Sequence, residues 1–292
     1  MYSGYFWTIL LGILWSSVGI IVALARNKQC PIWSFYCCGS AVAVLLLLPF
    51  SDLSAASLSW TGAGLLALGA LGNTLGQTLT MYNLRGGARA IIFSLQQMNF
   101  VFTYILSLLF LSEKITVFSA SGMLLLLVSV LGTGLLGGKG EDHSLPDLKQ
   151  LLMGIAAAMV IGGGQYALLL AGSRYLTGIS PATKAGVVLF FNILFYGMGA
   201  LTEWREFRTQ KMDILRFGTS WAIGAALSYM VLFHTINKMN EIARGGLVFA
   251  IGCSTCILFF YLFSVLKMKD RITWKQILLI SGILAGVILL RF

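Results

Sequence analysis

Charge is what this sequence has least of. Only 10% of its 292 residues are Asp, Glu, Lys or Arg, and the acids number ten. A soluble domain of this length needs a far more charged surface to stay dispersed. With 58% hydrophobic residues and a mean hydropathy of +0.88, the chain reads as an integral membrane protein. Histidine is scarce as well. There are two in all, with no His-Glu-x-x-His pair, no Walker-type glycine loop and no extramembrane segment large enough for a separate active site, so the chain is not expected to be an enzyme. Cysteine is limited to Cys30, Cys37, Cys38, Cys253 and Cys256. The last two have CxxC spacing, but inside an apolar helix and without a second pair that is a weak metal signal, and small buried thiols are the default. No metal and no cofactor is expected. A net charge of +10 would suggest nucleic acid in a soluble protein. Here the basic residues stand in short loops beside a bilayer, so membrane lipids with anionic headgroups, and not nucleic acid, are the natural partner.

Apolar sequence is abundant. A helix crosses a bilayer with about 20 mostly apolar residues, and such segments lie near 4–25, 31–49, 59–83, 87–111, 117–137, 148–172, 181–203, 217–237, 245–266 and 273–291. Charges or breakers bound each of them, as in "RNKQCP", "SDLSAAS" and "EWREFRTQKMD". Alternating strand patterns are absent, which argues against a barrel. The expected fold is therefore all-α, with ten transmembrane helices. Polar residues 138–147 link a first five-helix half, 1–137, to a second, 148–292.

The halves look like copies. "FLSEKIT" closes the fourth segment as "LKMKDRIT" closes the ninth, so that Thr116 matches Thr273 and Glu113 matches Asp270, while Pro31 and Pro181 each open the second helix of their half. A repeat with an odd number of spans lies upside down relative to its partner, the arrangement of inverted-repeat transporters with a site near the midplane. Three stretches carry a family likeness: "LLGILWSSVGIIVAL" at 10–24, "LFLSEKITVFSASGMLLLLVSVLG" at 109–132 and "KMKDRITWKQILLISGILAGV" at 267–287. Together they resemble the drug/metabolite transporter superfamily in its ten-helix form with two EamA-type repeats, and the likeness covers nearly the whole chain. The resemblance implies secondary transport of a small organic solute by alternating access. Substrates in that superfamily include amino acids, sugars, drugs and nucleotide sugars, so it implies no single chemistry.

Polar residues within the spans are the candidate site. Positions three and four apart share a helix face, so Gln96, Asn99, Thr103 and Ser107 form one polar stripe, and Phe93, Gln97, Phe100 and Tyr104 form an adjoining, largely aromatic one. An unpaired amide in hydrocarbon is costly, so both stripes should face protein or water. The third helix repeats the pattern with Asn73, Gln77 and Thr80, and the second half offers Tyr229, His234, Ser254 and Thr255. Trp15, Phe93, Phe100, Tyr166, Phe190 and Tyr229 are candidates to wall a pocket against flat or cationic groups. Gly162, Gly163 and Gly164 before Gln165 suit either a gating bend or close packing. The substrate-binding set is thus Trp15, Asn73, Gln77, Phe93, Gln96, Gln97, Phe100, Gln165, Tyr166, Lys184, Tyr229 and Ser254. Interhelical glue is the competing role for any one of them.

No acid falls in the middle of a span. Proton-coupled carriers usually need an ionisable group there, and only Lys184 and His234 are available; Lys184 either snorkels to the headgroups or receives a carboxylate or phosphate. The lack of a buried carboxylate disfavours permanently cationic drugs. An amino-acid-like metabolite is the leading substrate expectation and a sugar or sugar derivative the alternative, with an intramembrane enzyme or a passive assembly partner as the reading of another class. The expected setting is a bacterial cytoplasmic membrane, with the chain as a monomer. Five Lys and Arg lie in loops on the side of the N-terminus and fourteen on the opposite side. Basic loops favour the cytoplasm, which places both ends outside, whereas the family likeness implies ends inside.

Overall fold

The apolar runs become helices because in lipid every backbone N–H and C=O must be satisfied within the segment. The structure is a computed structural model that describes residues 2–52, 58–83, 94–111, 113, 115–136, 147–268 and 273–292. Among them, ten long helices follow one another: α1 (Tyr2–Asn27), α2 (Ile32–Leu47), α3 (Trp60–Asn83), α4 (Asn99–Leu111), α5 (Val117–Leu136), α6 (Leu148–Leu170), α7 (Pro181–Ala200), α8 (Lys211–Asn240), α9 (Leu247–Met268) and α10 (Trp274–Leu289). Among the described residues, six apolar helical segments meet both the length and the hydropathy needed to cross a membrane, and three more are apolar but shorter. The chain is an all-α, multi-pass membrane protein. The linker at 138–147 lies outside the described residues, apart from Asp147.

Local chemistry sets the helix ends. Asp147 and Gln150 cap α6 reciprocally, with Gln150 N–H donating to Asp147 Oδ1 (2.7 Å) and Asp147 N–H to Gln150 Oε1 (3.0 Å). Pro181 opens α7 where its missing N–H costs nothing, and Ser180 Oγ accepts from Thr183 N–H (3.1 Å). The matched threonines occupy equivalent places. Thr116 N–H donates to Ser119 Oγ (2.9 Å) ahead of α5, and Thr273 N–H donates to Gln276 Oε1 (2.8 Å) ahead of α10.

Three expectations shift. α8 begins at Lys211, not 217, so its first turns carry Asp213 and Arg216. The expected span 87–111 is broken: residues 94–97 form one turn, Met98 interrupts it, and α4 starts at Asn99. α6 runs as regular helix through its three glycines and turns irregular only at the π-helical segment Ala171–Tyr175. Close packing is what Gly162 and Gly164 serve, whereas a Cβ on Gly163 would meet nothing within 4 Å. A Cβ on Gly72 would lie 2.8 Å from Gly164 Cα, so side chains at either position would drive α3 and α6 apart.

The principal helix packing runs between the halves and is reciprocal. α1 lies on α8 as α6 lies on α3; α2 meets α8 as α7 meets α3; α1 meets α9 as α6 meets α4. Three of the pairs that correspond by order, α2 with α7, α4 with α9 and α5 with α10, also pack directly, and they do so antiparallel. Ser34 at the start of α2 donates its N–H to Glu203 Oε2 beyond the end of α7 (2.9 Å), while Asp52 beyond the end of α2 donates its N–H to Thr183 in the first turn of α7 (2.9 Å). Likewise, Asn99 meets Cys253 and Ser107 borders Gly246, so α4 and α9 run in opposite directions. Gly122 meets Gly286 as Gly132 meets Leu279, which sets α5 against α10 in the same sense. The first and last helices end together: Tyr5 Oη donates to the Arg291 carbonyl (3.4 Å). Arg244 secures that joint by donating to Tyr5 Oη (2.9 Å), to the Phe292 carbonyl (3.1 Å) and to the Arg291 carbonyl.

Candidate functional site

Where α2, α3, α7 and α8 meet, the seam between the halves is polar. Positions four apart put Lys184, Val188, Asn192 and Tyr196 on one face of α7, and all four are buried. α8 brings Trp221 and Tyr229, α2 brings Tyr36 and Ser40, and α3 brings Asn73 and Gln77. The centre of the seam is the Tyr229 hydroxyl, which accepts from Asn73 Nδ2 (3.4 Å) and lies beside the Asn192 amide. Aromatic rings close one flank: Tyr36 stacks on Tyr196 with centroids 4.8 Å apart, and Trp221 meets Tyr36 edge-on at 5.4 Å.

The buried polar atoms of this seam are short of partners. Ser40 Oγ, Asn192 Oδ1, Trp221 Nε1 and Lys184 Nζ make no hydrogen bond. Folded proteins pair the large majority of buried polar side-chain atoms, so these exceptions make the seam a candidate place for a solute or ordered water. The set offers donors and an amide acceptor beside ring faces. That combination suits a small polar solute with an apolar part. Among the described residues no three His, Cys, Asp or Glu side chains converge as a metal set.

The expected site residues fall into several places. Asn73 and Tyr229 are joined, with half-buried Gln77 one turn along α3. Gln165 belongs to a second cluster, where its Oε1 accepts from the Thr103 hydroxyl at 2.9 Å. The polar stripe of α4 is largely spent on its own backbone. Asn99 Nδ2 donates to the Gln96 carbonyl (2.9 Å) across the break at Met98, and Ser107 Oγ donates to the Tyr104 carbonyl (2.8 Å). Here the amide repairs an irregular backbone that lipid could not satisfy. Gln96 and Phe100 are buried and Gln97 half-buried, whereas Phe93 lies outside the described residues. Trp15 stacks on Phe249 (6.2 Å) between α1 and α9. Tyr166 packs against Phe110, and Ser254 donates to the Ala250 carbonyl of its own helix (2.7 Å), so neither joins the seam. Phe190 faces outward at 51% exposure, because it lies on the opposite side of α7 from Asn192. His234 packs edge-on against Trp7 (4.8 Å). Lys184 does not snorkel: it is fully buried, with Nζ 5.7 Å from the centre of the Phe233 ring.

Sequence reasoning missed Tyr36, Asn192, Tyr196 and Trp221. Asn192, within "FFNILFY", carried the same signal used on α4, an amide in the middle of an apolar helix. The aromatic residues carried none that separates them from lipid-facing rings.

A recess lies at the end of the molecule where Tyr5 and Arg291 meet, lined by Tyr104, Glu113, Thr116, Ser119, Arg244 and Leu247. Glu113 Oε1 accepts from Gly246 N–H (2.8 Å), just ahead of α9, where a carboxylate complements the positive helix end. Burial raises the Glu113 carboxyl above its ordinary range, and the bonds from Gly246, Ser107 and Gly245 hold it partly down.

Comparison with known proteins bears on the fold and on the first half. Residues 2–135 match the EamA-like transporter family. A solved crystal structure of a protein superposes with a TM-score of 0.69 at 13% identity, covering 99% of this chain and 98% of its own. At that identity the likeness speaks for the fold alone. No curated protein matches in sequence.

Proposed function

Residues 2–135 belong to the EamA-like transporter family, within the drug/metabolite transporter superfamily, and on that premise we propose that this membrane transporter carries a small polar metabolite by alternating access. The site lies at the Asn73–Tyr229–Asn192 joint, and the favoured solute is amino-acid-like. One observation carries the reading. The corresponding helices α2 and α7 lie antiparallel, and the seam around them buries polar atoms without partners. Inverted repeats rocking about such a seam expose the same atoms to each side in turn.

The two five-helix halves act as inverted repeats in a ten-span chain, a reading supported by the meeting of Tyr5 with Arg291, which requires an even number of crossings. A bacterial cytoplasmic membrane, with the fourteen-residue basic side inside, is the proposed setting. The test is solute flux into proteoliposomes from a panel of amino acids, sugars, nucleosides and quaternary amines. Flux of one class that disappears in Asn73→Ala and Asn192→Ala, with both variants folded, supports the assignment; flux unchanged in both refutes the site, and no flux of any class refutes transport.

A further inference from the structure

Lys184 lies in the second turn of α7, fully buried, and its Nζ has no acceptor. An ammonium sealed away from water without a counter-charge is strongly unfavourable, and buried charges are ordinarily paired. Among the described residues no carboxylate bonds it. Phe233 from α8 presents a ring face 5.7 Å away, and Asp52, beyond the end of α2, engages the adjoining Thr183 through its backbone, its N–H donating to Thr183 Oγ1 and its carbonyl accepting from it. The Phe233 ring has a second neighbour. A Cβ on Gly172 would lie 3.4 Å from it, and the next residue, Ser173, holds another buried hydroxyl without a partner. Ser173 belongs to the π-helical turn Ala171–Tyr175, and single π-turns frequently mark functional sites.

The geometry points to Lys184 as the counter-charge for a carboxylate of the transported solute. This deepens the proposed transport function and rests on it, because the group is sealed in this structure and a solute reaches it only when the seam opens. The charge count argues for a carboxylate over a phosphate. The first turn of α7 is already occupied: Pro181 has no N–H, Ser180 Oγ accepts from Thr183 N–H, and Lys184 N–H donates to the Ser180 carbonyl (3.2 Å). What remains is one ammonium, which matches a single negative charge. The stripe from Lys184 to Asn192 and Tyr196 on the same face of α7 then places the rest of the solute toward the Asn73–Tyr229 joint.

The test compares wild type, Lys184→Met and Lys184→Arg in melting experiments on the purified full chain. The probes are L-alanine, L-serine, L-leucine and L-glutamine, each beside its carboxamide, with inorganic phosphate and D-glucose as further arms. At least one amino acid is expected to raise the wild-type melting temperature while its carboxamide does not. Lys184→Met should weaken that binding by about tenfold or more, and Lys184→Arg should retain part of it. Without ligand, Lys184→Met should melt no lower than wild type, since it removes an unpaired charge. The inference is overturned if carboxamides act like the acids, if phosphate alone binds, if no probe binds, if Lys184→Met binds as well as wild type, or if it melts lower without ligand. Proteoliposome flux separates the two readings. Neutral-solute flux that survives Lys184→Met keeps transport and sinks the carboxylate site, whereas a Lys184-dependent shift without flux of any solute keeps the site and sinks transport.

Discussion

Two pairings of corresponding helices serve opposite ends. α5 and α10 pack as smooth surfaces: a Cβ on Gly122 would lie 2.9 Å from the Gly286 carbonyl oxygen, a Cβ on Gly286 would lie 3.0 Å from the Gly122 carbonyl oxygen, and Leu126 and Leu279 fill the spaces between. No buried polar atom described on either helix lacks a partner. The α2–α7 pair, with α3 and α8 against it, instead gathers Ser40, Lys184, Asn192 and Trp221 with unfilled bonding capacity. Both pairs join helices that correspond by order in the chain. Shape complementarity alone suffices where helices only need to stay together, so the polar incompleteness of the other seam is what the proposed site rests on.

The largest expected effect breaks the smooth pair. Gly286→Leu forces a side chain into the Gly122 backbone and should destabilise the protein by about 3 kcal/mol. Gly19→Leu, where a Cβ meets nothing within 4 Å, should leave stability nearly unchanged. Chemical unfolding in detergent measures both, and equal losses would mean that the α5–α10 contact is not tight. Next come the caps of that pair. Thr116→Ala and Thr273→Ala should each cost about 1 kcal/mol; a loss in one half only would break the equivalence of the two threonines.

At the seam the order of effects reverses. Tyr229→Phe removes a hydrogen bond of a kind worth about 0.6 kcal/mol within membranes, so its melting temperature should hardly move while transport falls. A variant that unfolds would reassign Tyr229 to packing. The smallest effect concerns pH. Because burial raises the Glu113 carboxyl, the folded chain holds a proton that the unfolded chain has released between the ordinary glutamate value and the raised one. Stability should therefore fall as pH rises through that window, and Glu113→Gln should flatten the slope. Since Glu113 holds the start of α9 and lies outside the seam, the same variant should leave any proton dependence of transport in place; abolition of that dependence would make Glu113 the coupling group.

The sequence by itself determined the helices. Runs of about 20 apolar residues leave the backbone one way to satisfy itself in lipid, and Pro31, Pro181, Thr116 and Thr273 mark helix starts by short-range chemistry that needs no neighbour. Periodicity also showed that Asn73 shares a face with Gln77, and Gln96 with Asn99, and that these faces turn inward. What each residue does after turning inward was decided by tertiary structure. Asn99 is spent on the carbonyl of Gln96 and on Cys253, while Asn192, an amide in an equally apolar helix, is left with its oxygen unpartnered against Tyr229. Lys184 is sealed under Phe233 where its position near a helix end suggested escape to the headgroups. Helical spacing fixes the direction of a side chain along its own helix, but hydrogen-bond capacity is filled or left open by whichever helix of the other half lies opposite, more than a hundred positions away for Asn73 and Tyr229.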